Sequence, residues 1–346
     1  MNRFRVIAFL AIVILLAVGQ VAEAGVRKSG LTGAAFLKIG VGARAVALGS
    51  SYTTVTGDVN QLFYNPAGIG LADGKSQVTL FHNAWIADLS HDALGYTRDL
   101  GSRGTIGISF VTLGLSGIGS DRDVVPQFVL DAGTFNPNDS ETSGSYDYRD
   151  LALGFTWARH VSDHLDLGVT GKMVRQSIDG VSATAWAVDV GAIYRIDYNN
   201  TRIGARINNL GSDLTFYDIA APLPLIFSLG GSMDVYDNDA GMKVSLMADA
   251  TKPQDAEQLV YTGVEVQVMD RLQIRTGYKV NYQGVEDEKV DEGSGETFGV
   301  ARTEEGFSAG LGVGFGLLEY QTSVDYAYTD FGILDSVHRI SLNLEF

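Results

Sequence analysis

The last seven residues, Ile340-Ser341-Leu342-Asn343-Leu344-Glu345-Phe346, alternate apolar and polar side chains and stop on an aromatic ring. Successive strand residues point to opposite faces, so this stretch reads as a strand with one greasy and one polar side. Terminal residues usually fray. A terminal strand fits a barrel instead, because the last strand must pair with the first where no sheet edge can survive in lipid. Soluble β-sandwiches also end this way, so the rest of the chain has to decide.

Upstream, the same period of two recurs. Leu151, Leu153, Phe155 and Trp157 alternate with Ala152, Gly154, Thr156 and Ala158. Ile203, Ala205 and Ile207 alternate with Gly204, Arg206 and Asn208, and Leu272, Ile274 and Tyr278 with Gln273, Arg275 and Gly277. Spans of this kind predict about fourteen strands, at 76–84, 89–100, 103–114, 147–160, 164–178, 182–197, 200–208, 224–235, 241–250, 258–268, 271–282, 305–316, 318–329 and 335–346. All six prolines fall outside these spans or on a first residue, as central strands require, because proline cannot donate to the ladder. One face is apolar and aromatic; the other is small, glycine-rich and charged. In a membrane barrel the apolar face meets lipid and the polar face lines the lumen. Trp157, Tyr194 and Tyr328 near segment ends suit an aromatic girdle.

Loop lengths point the same way. With the first strand starting in the periplasm, the odd connections are extracellular. The long ones, 115–146, 209–223 and 283–304, follow strands three, seven and eleven. The even ones are tight. Long outer loops and short periplasmic turns are the asymmetry of a membrane barrel. This places Phe128 and Glu288 outside the cell, Asp163 and Asp270 in the periplasm, and Phe346 on the periplasmic rim beside the N-terminus.

At the start of the chain, Arg3 and Arg5 precede an apolar run from Val6 to Val18, and Ala22-Glu23-Ala24 is a small-x-small site. Residues 1–24 read as a secretory signal peptide. That run is shorter than the roughly 20 residues of a membrane-spanning helix. The chain has no Cys, so it has neither disulfides nor a lipidated Cys anchor. Its 45% hydrophobic content is too high for disorder. A net charge of -16 excludes the basic face that nucleic acid binding needs. The division that follows is signal peptide 1–24, an N-terminal hatch 25–75 and an all-β transmembrane antiparallel barrel 76–346.

Residues 25–75 do not alternate. Ala34 to Leu48 is alanine-rich and predicts short helices broken at Gly40 and Gly42. So short a segment, with few apolar positions, buries itself best inside the barrel as a plug; a periplasmic lead-in is the plainer reading. The turn Asn65-Pro66-Ala67-Gly68 is a good turn starter: Asn bonds its own backbone, Pro presets φ, and Gly is permissive. It is either structural or a moving gate.

The run from Gly33 to Gly49, GAAFLKIGVGARAVALG, followed by Tyr64-Asn65-Pro66-Ala67-Gly68, resembles the PorV/PorQ family. That family is similar in turn to FadL-type long-chain fatty-acid transporters. Trp85-Ile86-Ala87-Asp88, and Asn209-Leu210-Gly211 with Pro222-Leu223-Pro224, fit the same resemblance. The ending Ile340, Leu342, Leu344, Phe346 resembles the barrel-insertion signal of bacterial outer-membrane proteins. The resemblance implies a fourteen-stranded outer-membrane barrel with its N-terminal segment inside. It implies a non-enzymatic role in type IX secretion, with secreted cargo or secretion-system components as partners. The alternative it implies is a FadL-like transporter with a hydrophobic ligand.

Chemistry is sparse. His160 and His164 flank a turn, not one helix face, so they make no metal site. No nucleophile elbow, Walker loop or zinc motif is present, and neither cofactor nor enzyme activity is expected. Lys172, Arg202, Arg206, Arg275, Lys279, Asp166, Asp189, Asp249 and Asp325 all fall on the polar face. They predict a lumen salt-bridge network holding the hatch, or else a selectivity lining. The acidic run 286–296 reads as a solvated loop.

Overall fold

The computed structural model describes residues 30–70, 75–121, 143–238, 241–256, 258–269, 271–280, 289–290, 297–298, 305–317 and 320–346. Among these, fourteen antiparallel strands close into one barrel. They are β1 (Ser76–Ala84), β2 (Ser90–Asp99), β3 (Thr105–Asp121), β4 (Ser143–Ser162), β5 (Leu165–Ile178), β6 (Val181–Ile196) and β7 (Thr201–Gly211). Then follow β8 (Ile226–Asp237), β9 (Met242–Pro253), β10 (Leu259–Val268), β11 (Leu272–Val280), β12 (Phe307–Leu317), β13 (Tyr320–Asp330) and β14 (Ser336–Glu345). Each pairs with its neighbour in sequence, and β14 pairs with β1 from Gln77↔Glu345 to Ala84↔His338. Ser76 N donates to Phe346 O at 2.7 Å and Phe346 N to Ser76 O at 2.9 Å, so the last residue completes the closure.

The apolar positions face outward. Leu80, Leu94, Ile108, Phe155, Val190, Ile274, Leu311 and Ile340 are exposed, while their neighbours Thr79, Thr156, Asp189, Arg275 and Ser341 are buried. An apolar exterior around a polar interior is the arrangement lipid imposes on a closed barrel. The protein is therefore a bacterial outer-membrane β-barrel. Trp157 and Tyr194 are exposed near one rim, Tyr328 half-buried near the other. The Trp157 indole donates to Arg103 O at 3.0 Å.

The expected strands hold to within a few residues, with two exceptions. β3 and β4 run past 114 and start before 147, because a bulge between Leu115 and Ile118 shifts the register without ending the pairing. Pro253 is the last residue of β9, not outside it; a strand end tolerates the missing donor. The long connections 122–142, 212–225 and 281–306 all leave from one end, which also carries shorter ones such as 179–180, whereas every connection at the other end, which we take as periplasmic, is short. Asp163 sits in the β4–β5 turn at that end; Phe128, Asp270 and Glu288 lie outside the described residues. Within 212–225, Leu214–Phe216 pairs with Ile219–Ala221.

Residues 30–70 run across the barrel interior. They form 3-10 turns at Ala35–Lys38, Val59–Phe63 and Pro66–Ile69 and one α-helix, α1 (Ala43–Ala47), with the breaks where Gly40 and Gly42 predict them. α1 lies against β11 to β14, Val59–Phe63 against β1 to β3, and Pro66–Ile69 against β3 to β6. The described part of this segment starts at the outer end. Thr32 Oγ1 and Lys38 Nζ both donate to Asp255 in the outer β9–β10 connection, each at 2.6 Å.

We propose that the terminal pattern Ile340, Leu342, Leu344, Phe346 also serves insertion. Phe346 packs edge-on against Tyr320 with centroids 5.8 Å apart. Phe346→Ser keeps the backbone closure, so folded stability should change little while the amount inserted drops severalfold. Heat-modifiable mobility of membrane fractions reads this, and unchanged insertion would reduce the ending to an ordinary strand.

Candidate functional site

The interior has two layers of different chemistry. The periplasmic half is polar and grips the N-terminal segment. Arg44, on α1, donates from Nη1 to Asp58 Oδ2 and from Nη2 to Glu265 Oε1, both at 2.8 Å. Glu265 also takes Arg275 Nε at 2.6 Å, and Arg275 Nη1 reaches Asp325 Oδ1 at 2.5 Å. One acid on β10 thus joins a cation of the segment to a cation of the wall. Buried charges persist only when paired and hydrogen-bonded. Beneath this network a cavity of about 310 Å³ is lined by Arg44, Asp58, Gln77, Glu265, Asp325 and Asn343.

Asp249 holds the next bend. Its Oδ2 accepts from Tyr52 N at 2.8 Å, Thr53 N at 2.9 Å and Thr53 Oγ1 at 2.7 Å. Arg206 Nε donates to the same Thr53 Oγ1 at 3.1 Å and lies over the Tyr64 ring at 5.3 Å. Glycine lets the backbones come this close. A Cβ on Gly277 would fall on the Gly49 backbone nitrogen, and one on Gly191 on the Asn65 carboxamide.

The Asn65–Gly68 turn is buried in full. Asn65 Oδ1 accepts from Ala67 N at 3.1 Å, its Nδ2 donates to Thr53 O at 2.7 Å, and Gly68 N closes on Asn65 O at 2.8 Å. Pro66 opens the 3-10 turn, the N-terminal position that needs no amide donor. Gly68 is required for space, not conformation: a Cβ there would sit 2.5 Å from Val55 O and 2.6 Å from Gln61 Cγ.

The remaining lumen charges divide. Lys172 pairs with Asp189 at 2.7 Å and donates to Asn209 Oδ1 at 2.8 Å, within the wall. Lys279 pairs with Glu305, and Asp166 with His160 and Arg195. Arg202 donates to Asn200 near the inner rim, away from the segment. So Arg206, Asp249, Arg275 and Asp325 belong to the grip, while the others brace the wall. The expectation of one network is replaced by several, because inward positions on distant strands are separated by the segment itself.

The outer half departs from the expected polar lumen. Phe81, Ala93, Val111, Leu113, Ala152, Val174, Ala183, Ala185 and Ala187 face inward and form one apolar cluster. The segment's own residues fill it: Phe36 is buried at its centre, with Leu37 and Ile39 against it. A strap over 31–39 closes the top, held by Asp255, by Gly33 N on Pro222 O at 2.9 Å and by Ala34 N on Gln176 Oε1 at 2.9 Å. Burial alone would push the Asp255 carboxyl up, but the Lys38 and Thr32 hydrogen bonds outweigh it and hold it below the ordinary 3.8. Carboxylates depressed in the fold stabilise it above their unfolded pKa and lose that contribution only as pH falls through the lower folded value. The strap's attachment at Asp255 therefore survives mild acid.

Sequence reading missed Arg44, Asp58, Glu265 and the apolar chamber. It also missed Arg339, which is fully buried beneath the Trp85 and Phe331 rings and donates to Thr329 Oγ1 at 2.5 Å.

The model of an uncharacterised protein family (UPF0164) matches residues 17–122. Among proteins of curated function, none matches the sequence. Solved barrels of similar fold include the toluene transporter TbuX of Ralstonia pickettii, at 13% identity and a TM-score of 0.53, covering 88% of this chain and 97% of that one. The toluene transporter TodX of Pseudomonas putida gives 12% and 0.52, with 88% and 97% covered. A FadL homologue of Pseudomonas aeruginosa gives 11% and 0.53, with 89% and 98% covered. These likenesses establish a FadL-type barrel fold.

Proposed function

We propose that the protein passes small hydrophobic molecules across the outer membrane, with residues 25–75 acting as the plug. The carrying observation is the apolar chamber in the outer half of the lumen. A barrel that needed only rigidity could fill this space with the charged and hydroxyl groups it uses below. Instead the chamber offers Phe81, Val111, Leu113 and five inward alanines, and the chain's own Phe36, Leu37 and Ile39 occupy it. Those side chains mark where an apolar guest sits once the strap moves aside. Burying apolar surface supplies about 25 cal/mol per Å², so a guest of similar size offsets the loss of the strap's own contacts. The similar fold of toluene transporters and of a monoaromatic hydrocarbon channel supports this reading.

The secretion role that the PorV/PorQ resemblance implied gains no comparable support. The family model that matches over the N-terminal part is that of an uncharacterised family. Most of the acidic outer loop 283–304 lies outside the described residues.

Transport is measured as uptake of radiolabelled toluene by cells expressing the protein, against cells without it. Ala185 faces the chamber and is fully buried. Ala185→Trp should fill the guest's place and reduce uptake about tenfold, to near the background. Uptake by the wild type no faster than by empty cells would overturn the proposal.

A further inference from the structure

The outer surface of the wall carries a hollow of about 350 Å³ across β9 to β12, lined by Leu246, Thr262, Val264, Thr276, Tyr278 and Phe307. No ionisable group other than the Tyr278 phenol lines it. Thr262 Oγ1 donates to Tyr278 O and Thr276 Oγ1 to Ser308 O, both at 3.2 Å. Each hydroxyl is thus returned to the backbone. The hollow is continuous with the lipid-facing belt, where Ile274, Leu311 and Val313 stand exposed around it.

Its floor is the cross-strand pair Gly263↔Gly277. Neither residue has a side chain on the lumen side, because the bend Leu48–Ser51 of the N-terminal segment lies there. A Cβ on Gly263 would meet Ser51 Oγ at 2.5 Å and Leu48 O at 2.7 Å. From the other side, a Cβ on Gly49 would meet Tyr278 N at 2.8 Å and Thr262 O at 2.9 Å. The wall here is one backbone thick, with the plug on one side and the hollow on the other.

We propose that this hollow binds one acyl chain of a membrane lipid. Its surroundings in the barrel's working state are hydrocarbon, so a lipid chain is the occupant always at hand. An unfilled hollow forfeits dispersion contacts along its lining. A flexible unbranched chain recovers them, and the volume lies within the range of small-ligand sites. Tyr278 and Phe307 lie toward the outer ends of β11 and β12, so the chain comes from the outer leaflet. The site is separate from the chamber and does not depend on any transported molecule.

The test is native mass spectrometry of the detergent-purified protein with added dipalmitoylphosphatidylethanolamine. The wild type is expected to retain one lipid. Thr262→Phe with Thr276→Phe fills the hollow and should lower retention about tenfold or more. Leu311→Phe, on the belt beside the hollow, should retain lipid as the wild type does. If the double variant does not insert, Thr276→Leu alone gives the same comparison with a smaller decrease. The proposal is overturned if the wild type holds no lipid or if the filled variants hold as much. It is also overturned if filling the hollow abolishes a dimer, since the occupant is then a second copy of this chain.

Discussion

Gly191→Val is expected to expel the Asn65–Gly68 turn from the wall and convert a closed barrel into a conducting one. Gly191 lies on β6, and its missing side chain is what admits the Asn65 carboxamide; Pro66 Cδ would lie 3.0 Å from the new Cβ. Asn65 cannot retreat without losing its bonds to Thr53 O and Ala67 N. Overpacking of this kind typically costs about 1–3 kcal/mol, borne by the less rigid partner. The fourteen-strand ladder is the more rigid, so the turn moves. Single-channel conductance in planar bilayers should rise from near zero to open steps lasting milliseconds or longer, with heat-modifiable mobility unchanged. A silent, fully folded Gly191→Val barrel would show that the turn is not seated as described.

The second large effect concerns Glu265. It stands between Arg44 of the N-terminal segment and Arg275 of the wall, 2.8 and 2.6 Å from them. Glu265→Ala leaves two guanidinium groups facing each other with one fewer acid. Breaking a buried pair by removing one partner costs about 3–5 kcal/mol. Arg275 keeps Asp325 and Arg44 keeps Asp58, which places the effect toward the lower figure. The loss should appear as faster amide exchange over Ala43–Ala47 and not across the β1–β14 seam. The double variant Glu265→Ala with Arg44→Met should recover much of the protection. Equal loosening of seam and helix would show that the network holds the barrel instead of the plug.

Much of this architecture was readable before any coordinates. A period of two marked the strands, loop parity ordered the two ends, and Asn65-Pro66 announced its turn. The reading failed where the pattern itself is blind. Ala183, Ala185 and Ala187 look like the small residues of a polar lumen face, yet they line an apolar chamber with Phe36. Phe110-Val111-Thr112-Leu113 is apolar on both faces, which erases the alternation that tells inside from outside. Glu265, between Val264 and Val266, is legibly inward, but nothing local names a partner 221 residues away. The bulge at Leu115–Ile118 broke the period and concealed the outward extension of β3 and β4. The lack of alternation in 33–68 set this stretch apart from the strands, while the apolar lining that meets it was not legible.

Toluene uptake with the strap locked tests directly whether the guest passes the outer mouth. Thr32 and Asp255 meet at 2.6 Å across the outer mouth, and the chain has no native Cys to interfere. Thr32→Cys with Asp255→Cys, oxidised, ties the strap over the chamber. Uptake is expected near background in the oxidised form, with recovery on adding reductant. Equal uptake in both forms would contradict it, since the guest would then reach the periplasm without passing the strap.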